Sequence, residues 1–158
     1  YTNAIKINSE YSGAYNNRGV IYIDLGDNYL AVSDFSKAIV HDSNNKLAYY
    51  NRGIAKSNLN DNYGAIKDYT KAIELDPLYV DAYYNRGIEK FDLEDYYGAI
   101  SDYTKTIKFD SDYIYAYLNR SISKEKIGDI KGACLDAKKV ISLGNTNLEN
   151  KKWVRDNC

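Results

Sequence analysis

One spacing governs this chain, and it is 34 residues. Asn17, Asn51, Asn85 and Asn119 each stand 34 residues from the next, and an arginine follows every one. The segments 12–45, 46–79, 80–113 and 114–147 align without a gap. A fixed period of roughly 20–50 residues decides architecture before local propensity does, because each unit is one supersecondary element stacked on its own copies. With positions counted 1–34 in each segment, position 4 is Tyr15, Tyr49, Tyr83 and Tyr117. Position 8 is small (Gly19, Gly53, Gly87, Ser121), position 20 is always alanine, and position 28 is always isoleucine. Position 24 is Phe35, Tyr69 and Tyr103, then Ala137.

These spacings predict two helices per segment. Positions 4, 8 and 11 share one helical face, and positions 20, 24, 27 and 28 share another. Small residues at 8 and 20 let two backbones approach, and the aromatics at 4 and 24 fill the space beside them. Between the helices stand Gly26-Asp27, Asn60-Asp61, Glu94-Asp95 and Gly128-Asp129, whose aspartates are suited to cap the second helix. That helix is expected to end near Leu75–Pro77, since proline continues a helix poorly. A helical hairpin of this size cannot bury its apolar faces alone, so the hairpins must stack.

The pattern resembles the tetratricopeptide repeat (TPR) family, most closely in "KLAYYNRGIAKSNLNDNYGAIKDYTKAIELDP" at residues 46–77. The resemblance implies an all-α fold: a right-handed α-solenoid of antiparallel helix-turn-helix hairpins with a C-terminal capping helix. The whole chain, 1–158, then reads as a single TPR domain. Within it, 1–11 is the second half of a truncated repeat, because "YTNAIKINSE" matches positions 24–33. Four full repeats follow at 12–45, 46–79, 80–113 and 114–147, and 148–158 forms a capping helix and tail, with Leu148–Arg155 as the helix. The final stretch, from "GACLDAKKV" onwards, resembles the C-terminal ends of bacterial TPR proteins and implies a bacterial-type array.

Composition narrows the function classes. A net charge of −1 gives no electrostatic reason to expect nucleic acid or an anionic membrane as partner. No apolar run approaches a membrane span, so no membrane insertion is expected. His41 is the only histidine, and Cys134 and Cys158 are the only cysteines, without metal-like spacing. No Ser/His/Asp, Cys/His or phosphate-loop constellation is present, so the chain reads as a non-enzyme with no metal and no cofactor. His41 itself stands near a helix end and is expected to be a partly exposed packing residue. Nothing names a compartment beyond a cytoplasmic default. For the cysteines two readings stand side by side: a disulfide stapling the cap, or a core thiol and a free terminal one.

Position 7, usually apolar in the family, is arginine throughout: Arg18, Arg52, Arg86 and Arg120. A charge at a helix contact needs a partner. Position 23 supplies one without exception, as Asp34, Asp68, Asp102 and Asp136. Structural ion pairs are therefore expected, within each hairpin or between neighbours. Lys56, Lys90 and Lys124 at position 11 are placed to join them. The competing reading, an anion-binding stripe of arginines, is weakened by the matched aspartates.

The TPR resemblance places positions 2, 5, 6, 9, 12 and 13 on the concave side of the array, and helical spacing groups most of them on one face. Position 6 is the asparagine ladder Asn17, Asn51, Asn85 and Asn119, with Tyr50 and Tyr84 at position 5 and Ile54 and Ile88 at position 9. Amides donate and accept, so they suit the backbone of an extended peptide, and the aliphatic neighbours add adhesion. The expected function is a protein–protein interaction scaffold binding a peptide or partner protein there. The alternative is a structural spacer, or a module that self-associates through the open N-terminal end, where Ile5 and Ile7 would be exposed. The family's two-carboxylate clamp needs cations that this chain lacks at the matching positions. Asp24, Asp81, Asp92 and Glu125, against Lys126, point instead to a neutral or basic ligand.

Overall fold

A computed structural model describes residues 1–144 and 148–158, with side chains from 152 onward in the last helix; 145–147, which end the fourth sequence repeat, lie outside the described residues. Among the described residues the secondary structure is helical throughout. The helices are α1 (Thr2–Ile7), α2 (Ser12–Asp24), α3 (Asn28–His41), α4 (Lys46–Ser57), α5 (Asn62–Leu75), α6 (Val80–Asp92), α7 (Tyr96–Phe109), α8 (Ile114–Lys126), α9 (Ile130–Ser142) and α10 (Leu148–Asn157). The chain divides into two compact units, Tyr1–Ala82 and Tyr83–Cys158. In the first, α1 packs on α2, α2 on α3, α3 and α2 on α4, and α4 on α5. In the second, α7 packs on α8, α8 on α9, and α9 on α10. No described helix is long and apolar enough to cross a membrane.

The turn inside each hairpin follows from local chemistry. Gly26, Asn60, Glu94 and Gly128 adopt φ of +81°, +60°, +62° and +81°. The next amide then reaches back to close the helix end: Asp61 N–H to Lys56 C=O at 2.9 Å, and Asp129 N–H to Lys124 C=O at 2.9 Å. Asp61, Asp95 and Asp129 cap the second helix by accepting from the amides of Gly64, Gly98 and Gly132 at 2.9–3.0 Å. A Cβ on any of these glycines would overlap the capping carboxylate. The first hairpin has Leu30 at the same place, and there Asp27 makes no side-chain cap bond.

Between hairpins the chain turns on an aspartate. Asp42, Asp76 and Asp110 accept from the amides of Asn44, Leu78 and Asp112 at 3.0–3.1 Å, forming Asx turns. Each stops its helix with an extended backbone, φ −134° to −147°. Only one of the three is followed by proline, so the aspartate is the general stop.

The core is built from size complementarity. A Cβ on Gly19, Gly53 or Gly87 would fall 2.6–2.7 Å from the ring of Phe35, Tyr69 or Tyr103. Those rings are 0–1% exposed, so position 8 must be glycine wherever position 24 is aromatic. The neighbouring alanines, such as Ala48, Ala55, Ala65 and Ala99, are fully buried because helix backbones pass close there. His41 stacks on Tyr15, with ring centroids 5.6 Å apart. At the N-terminus Ile7 is 89% exposed, but Ile5 packs against Tyr15, Ala38 and Ala48. The expectation that both isoleucines lie open is thus corrected, because α1 turns Ile5 onto α2.

Cys134 of α9 and Cys158 form a disulfide, with Cα atoms 5.7 Å apart. Of the two readings open from sequence, the structure shows the staple, which fastens the end of α10 to α9.

Two outcomes test these packing arguments. Gly53→Ala is expected to lower stability by about 1–3 kcal/mol in denaturant titration, because the buried Tyr69 ring has no room to yield. Reducing the disulfide frees a link spanning 24 residues of sequence and is expected to cost about 3 kcal/mol, with Trp153 emission moving to the red as α10 loosens.

Candidate functional site

Each arginine at position 7 grips an aspartate and lies against a tyrosine, and three of the four show a third contact. Its Nε and Nη2 donate to the two carboxylate oxygens of the aspartate 16 residues on, at 2.6–2.9 Å, in all four hairpins. The fork-to-fork geometry uses the planar guanidinium in a way lysine cannot. The guanidinium carbon lies 5.5–5.7 Å from the ring of the tyrosine three residues earlier, Tyr15, Tyr49, Tyr83 or Tyr117. The remaining nitrogen reaches the preceding second helix: Arg52 Nη1 donates to Ser36 Oγ at 3.1 Å and Arg120 Nη1 to Thr104 Oγ1 at 3.0 Å. Arg18 does the same to Thr2 of α1 at 3.4 Å. Asp34, Asp68, Asp102 and Asp136 are only 2–5% exposed at the side chain. In three hairpins a lysine joins, with Lys56, Lys90 and Lys124 each 2.7 Å from the aspartate. In the first hairpin Tyr22 stands in that lysine's place and lies beside the Arg18 guanidinium.

The asparagine ladder does not sit apart from the fold. In the first unit Asn51 Nδ2 donates to Asn16 Oδ1 at 3.1 Å, and Asn16, itself buried, donates to Asn17 Oδ1 at 3.4 Å. Asn17 is exposed. Tyr50 packs between Tyr69 and Tyr79, with centroids 5.8 and 4.8 Å away, and Ile54 lies half-buried one turn along. Burial raises the Tyr79 phenol well above the usual range.

The second unit repeats this arrangement with different atoms. Tyr84 packs between Tyr103 and Tyr113, at 5.9 and 4.8 Å. Asn119 Nδ2 donates to Tyr84 Oη at 3.2 Å. Burial raises the Tyr84 and Tyr103 phenols, and the bond from Asn119 partly opposes it in both. A cavity of about 270 Å³ opens beside this amide, lined by Ile88, Phe91, Asp92, Tyr103, Asn119 and Ile122. Its walls are mainly apolar, and the polar side chains lining it are the Asn119 amide, the Asp92 carboxylate and the Tyr103 phenol. Asn85 is half-buried on the same helix as Ile88.

The structure therefore brings Ile88 and Asn119 together at one cavity and places Tyr50 and Tyr84 mainly in aromatic clusters. Sequence reasoning passed over Phe91 as a cavity wall and Ser36 and Thr104 as partners of the arginines. The signal for the last two was present, since position 25 carries a hydroxyl in Ser36, Thr70 and Thr104. No group of histidine, cysteine and acidic residues among the described residues is arranged to hold a metal.

Breaking one member of a buried charge cluster leaves the others uncompensated. Asp68→Ala is expected to cost about 3–5 kcal/mol, and Arg52→Met less, because Lys56 still faces the carboxylate. The double variant should lose less than the sum of the two, by more than about 1 kcal/mol; purely additive losses in urea titration would rule out the pairing as an energetic unit.

The ETO1 C-terminal domain family matches residues 1–155. No curated protein sequence matches the chain. Among solved structures, MamA is similar with a TM-score of 0.87 and 28% identity, over 96% of this chain and 86% of that one. MamA from Desulfovibrio magneticus RS-1 shares the fold at TM-score 0.84 and 18% identity, over 90% and 81%. The first TPR of Spaghetti (RPAP3), solved bound to the HSP90 peptide SRMEEVD, is similar at TM-score 0.66 and 25% identity, over 73% and 91%. Stacked hairpins, small-on-aromatic packing and these likenesses agree: the chain belongs to the ETO1 C-terminal domain family and is an all-α, solenoid-type protein–protein interaction scaffold of the TPR kind.

Proposed function

We propose that the chain holds an extended peptide segment of a partner protein on the first-helix face, through position-6 amides with tyrosine and aliphatic neighbours. The observation that carries this is the cavity beside Asn119, where Ile88, Phe91 and Ile122 offer an apolar seat next to an amide and Asp92. An amide whose N–H groups serve Tyr84 and Tyr103 would still have its carbonyl to offer a peptide N–H. Asn51 would act in the same way in the first unit, held in place by Asn16. The internal bonds orient the amides and lower the entropy lost on binding.

The ligand's chemistry is read from charge. The peptide bound by the RPAP3 repeat, SRMEEVD, is acidic. This chain exposes Asp24, Asp81, Asp92 and Glu125 at repeat positions 2, 12 and 13, against Lys126, so a neutral or basic segment suits it. Self-association through the N-terminal end is the weaker reading, since Ile7 is the exposed isoleucine there and Ile5 is already packed.

Peptide-array binding followed by titration of the best segment tests the proposal. Asn119→Ala should weaken that segment about tenfold, the weight of one well-formed hydrogen bond. Tyr84→Phe, which removes one of the amide's two internal partners and leaves Tyr103, should leave affinity within about threefold. Unchanged affinity in Asn119→Ala, with the fold intact by circular dichroism, would sink the amide's role.

A further inference from the structure

The fourth hairpin breaks the size rule that the other three obey. Where they place Phe35, Tyr69 and Tyr103, it has Ala137, and where they have glycine, it has Ser121. Ser121 does not refill the lost volume, because its hydroxyl turns away and donates to Ala133 C=O at 2.9 Å. The space of the missing ring stays open as a cavity of about 200 Å³. Leu118, Ile122, Ala137 and Val140 form its apolar walls, Trp153 of α10 closes one side, and Glu125 stands at the exposed rim. Trp153 Nε1 donates to Glu125 Oε1 at 3.3 Å, which holds ring and carboxylate together. The disulfide at the end of α10 fastens the same helix to α9.

Such a cavity is a poor home for water, which needs two to four polar partners. It is a good one for a ring, since an apolar cavity on the order of 150 Å³ suffices to bind benzene. We propose that it is a specificity pocket for an aromatic side chain of a protein partner, a phenylalanine or tyrosine directly beside a lysine or arginine. The three other hairpins show what fits: an aromatic ring against an aliphatic and alanine lining. Glu125 supplies the charge that selects a cation next to the ring. This deepens the peptide-binding reading, on which it rests for the origin of the aromatic residue, but the pocket can be tested without any contact to the asparagine amides.

Trp153 is the only tryptophan, so with the disulfide intact its emission reports on this cavity. The full chain with its disulfide intact is titrated with toluene, N-acetyl-Phe-Lys-amide and N-acetyl-Phe-Glu-amide. Toluene and the Phe-Lys compound are expected to change Trp153 emission saturably, with Kd on the order of 1 mM, and Phe-Glu should bind at least fivefold more weakly. Glu125→Gln should abolish that preference and leave toluene binding within twofold. The double variant Ser121→Gly/Ala137→Tyr rebuilds the internal ring as the other hairpins have it, so it should keep its fold and bind none of the three. A cavity that binds nothing, toluene binding without Phe-Lys binding, or undiminished binding in the folded double variant each overturns the proposal. A negative peptide array with positive dipeptide binding would instead count against the amides and leave the pocket standing.

Discussion

The guanidinium at position 7 ties together three elements that would otherwise meet only through van der Waals contact. It grips a nearly dehydrated carboxylate on its own second helix, lies against a tyrosine on its own first helix, and in three hairpins reaches a hydroxyl on the helix before. A carboxylate only 2–5% exposed needs partners in place of water; that fork supplies them, and in three hairpins a lysine does as well. A hydrophobic residue there would pack equally well and specify less, since aliphatic contacts tolerate sliding. Bidentate geometry does not tolerate it. The rung sets the register between the helices of a hairpin, and its third arm sets the register to the preceding hairpin.

The second constraint is volume, and it propagates along the sequence in pairs. Position 8 is glycine because position 24 is a ring, and where the ring is lost, serine appears and finds a backbone carbonyl. The same pairing rule holds at the caps, where glycine at the third helical position makes room for the aspartate and leucine abolishes the cap bond. Residues that look independent in the sequence are thus halves of one steric choice. The open space at Ala137 exists because the ring is lost and Ser121 is too small to refill it, and α10 with Trp153 borders it without filling it.

Most of the fold was legible because the period is gapless and each hairpin repeats the same local instructions. Turn, cap and helix faces all depend on residues within one hairpin, where spacing alone fixes neighbours. Proline was the misleading cue: Pro77 marks one helix end, yet Asp42 and Asp110 end theirs by the same Asx turn without it. The site was less legible. The charge match of positions 7 and 23 is visible in the letters, but the hydroxyl that accepts the third arm belongs to another hairpin, and only stacking brings it near. Tyr50 and Tyr84 share a helical face with the asparagines, which is why spacing groups them. Spacing does not reveal Tyr79 and Tyr113, which close over them from the following turn. Ile5 was misjudged for the same reason, as its cover comes from α2.

The asparagines show why structure and binding need not be rival explanations here. A free amide on a helix samples several rotamers and must surrender them to a ligand. Asn51 and Asn119 have already surrendered theirs, one to Asn16 and the other to a tyrosine hydroxyl, and both partners belong to the preceding hairpin. The bond that joins two hairpins is therefore also the bond that aims the amide. A ladder built in this way couples the two roles. Whatever loosens the stacking also loosens the hold on these amides. The arginine beside each asparagine points to the aspartate of the second helix, so the adjacent pair divides its contacts between two faces of the first helix.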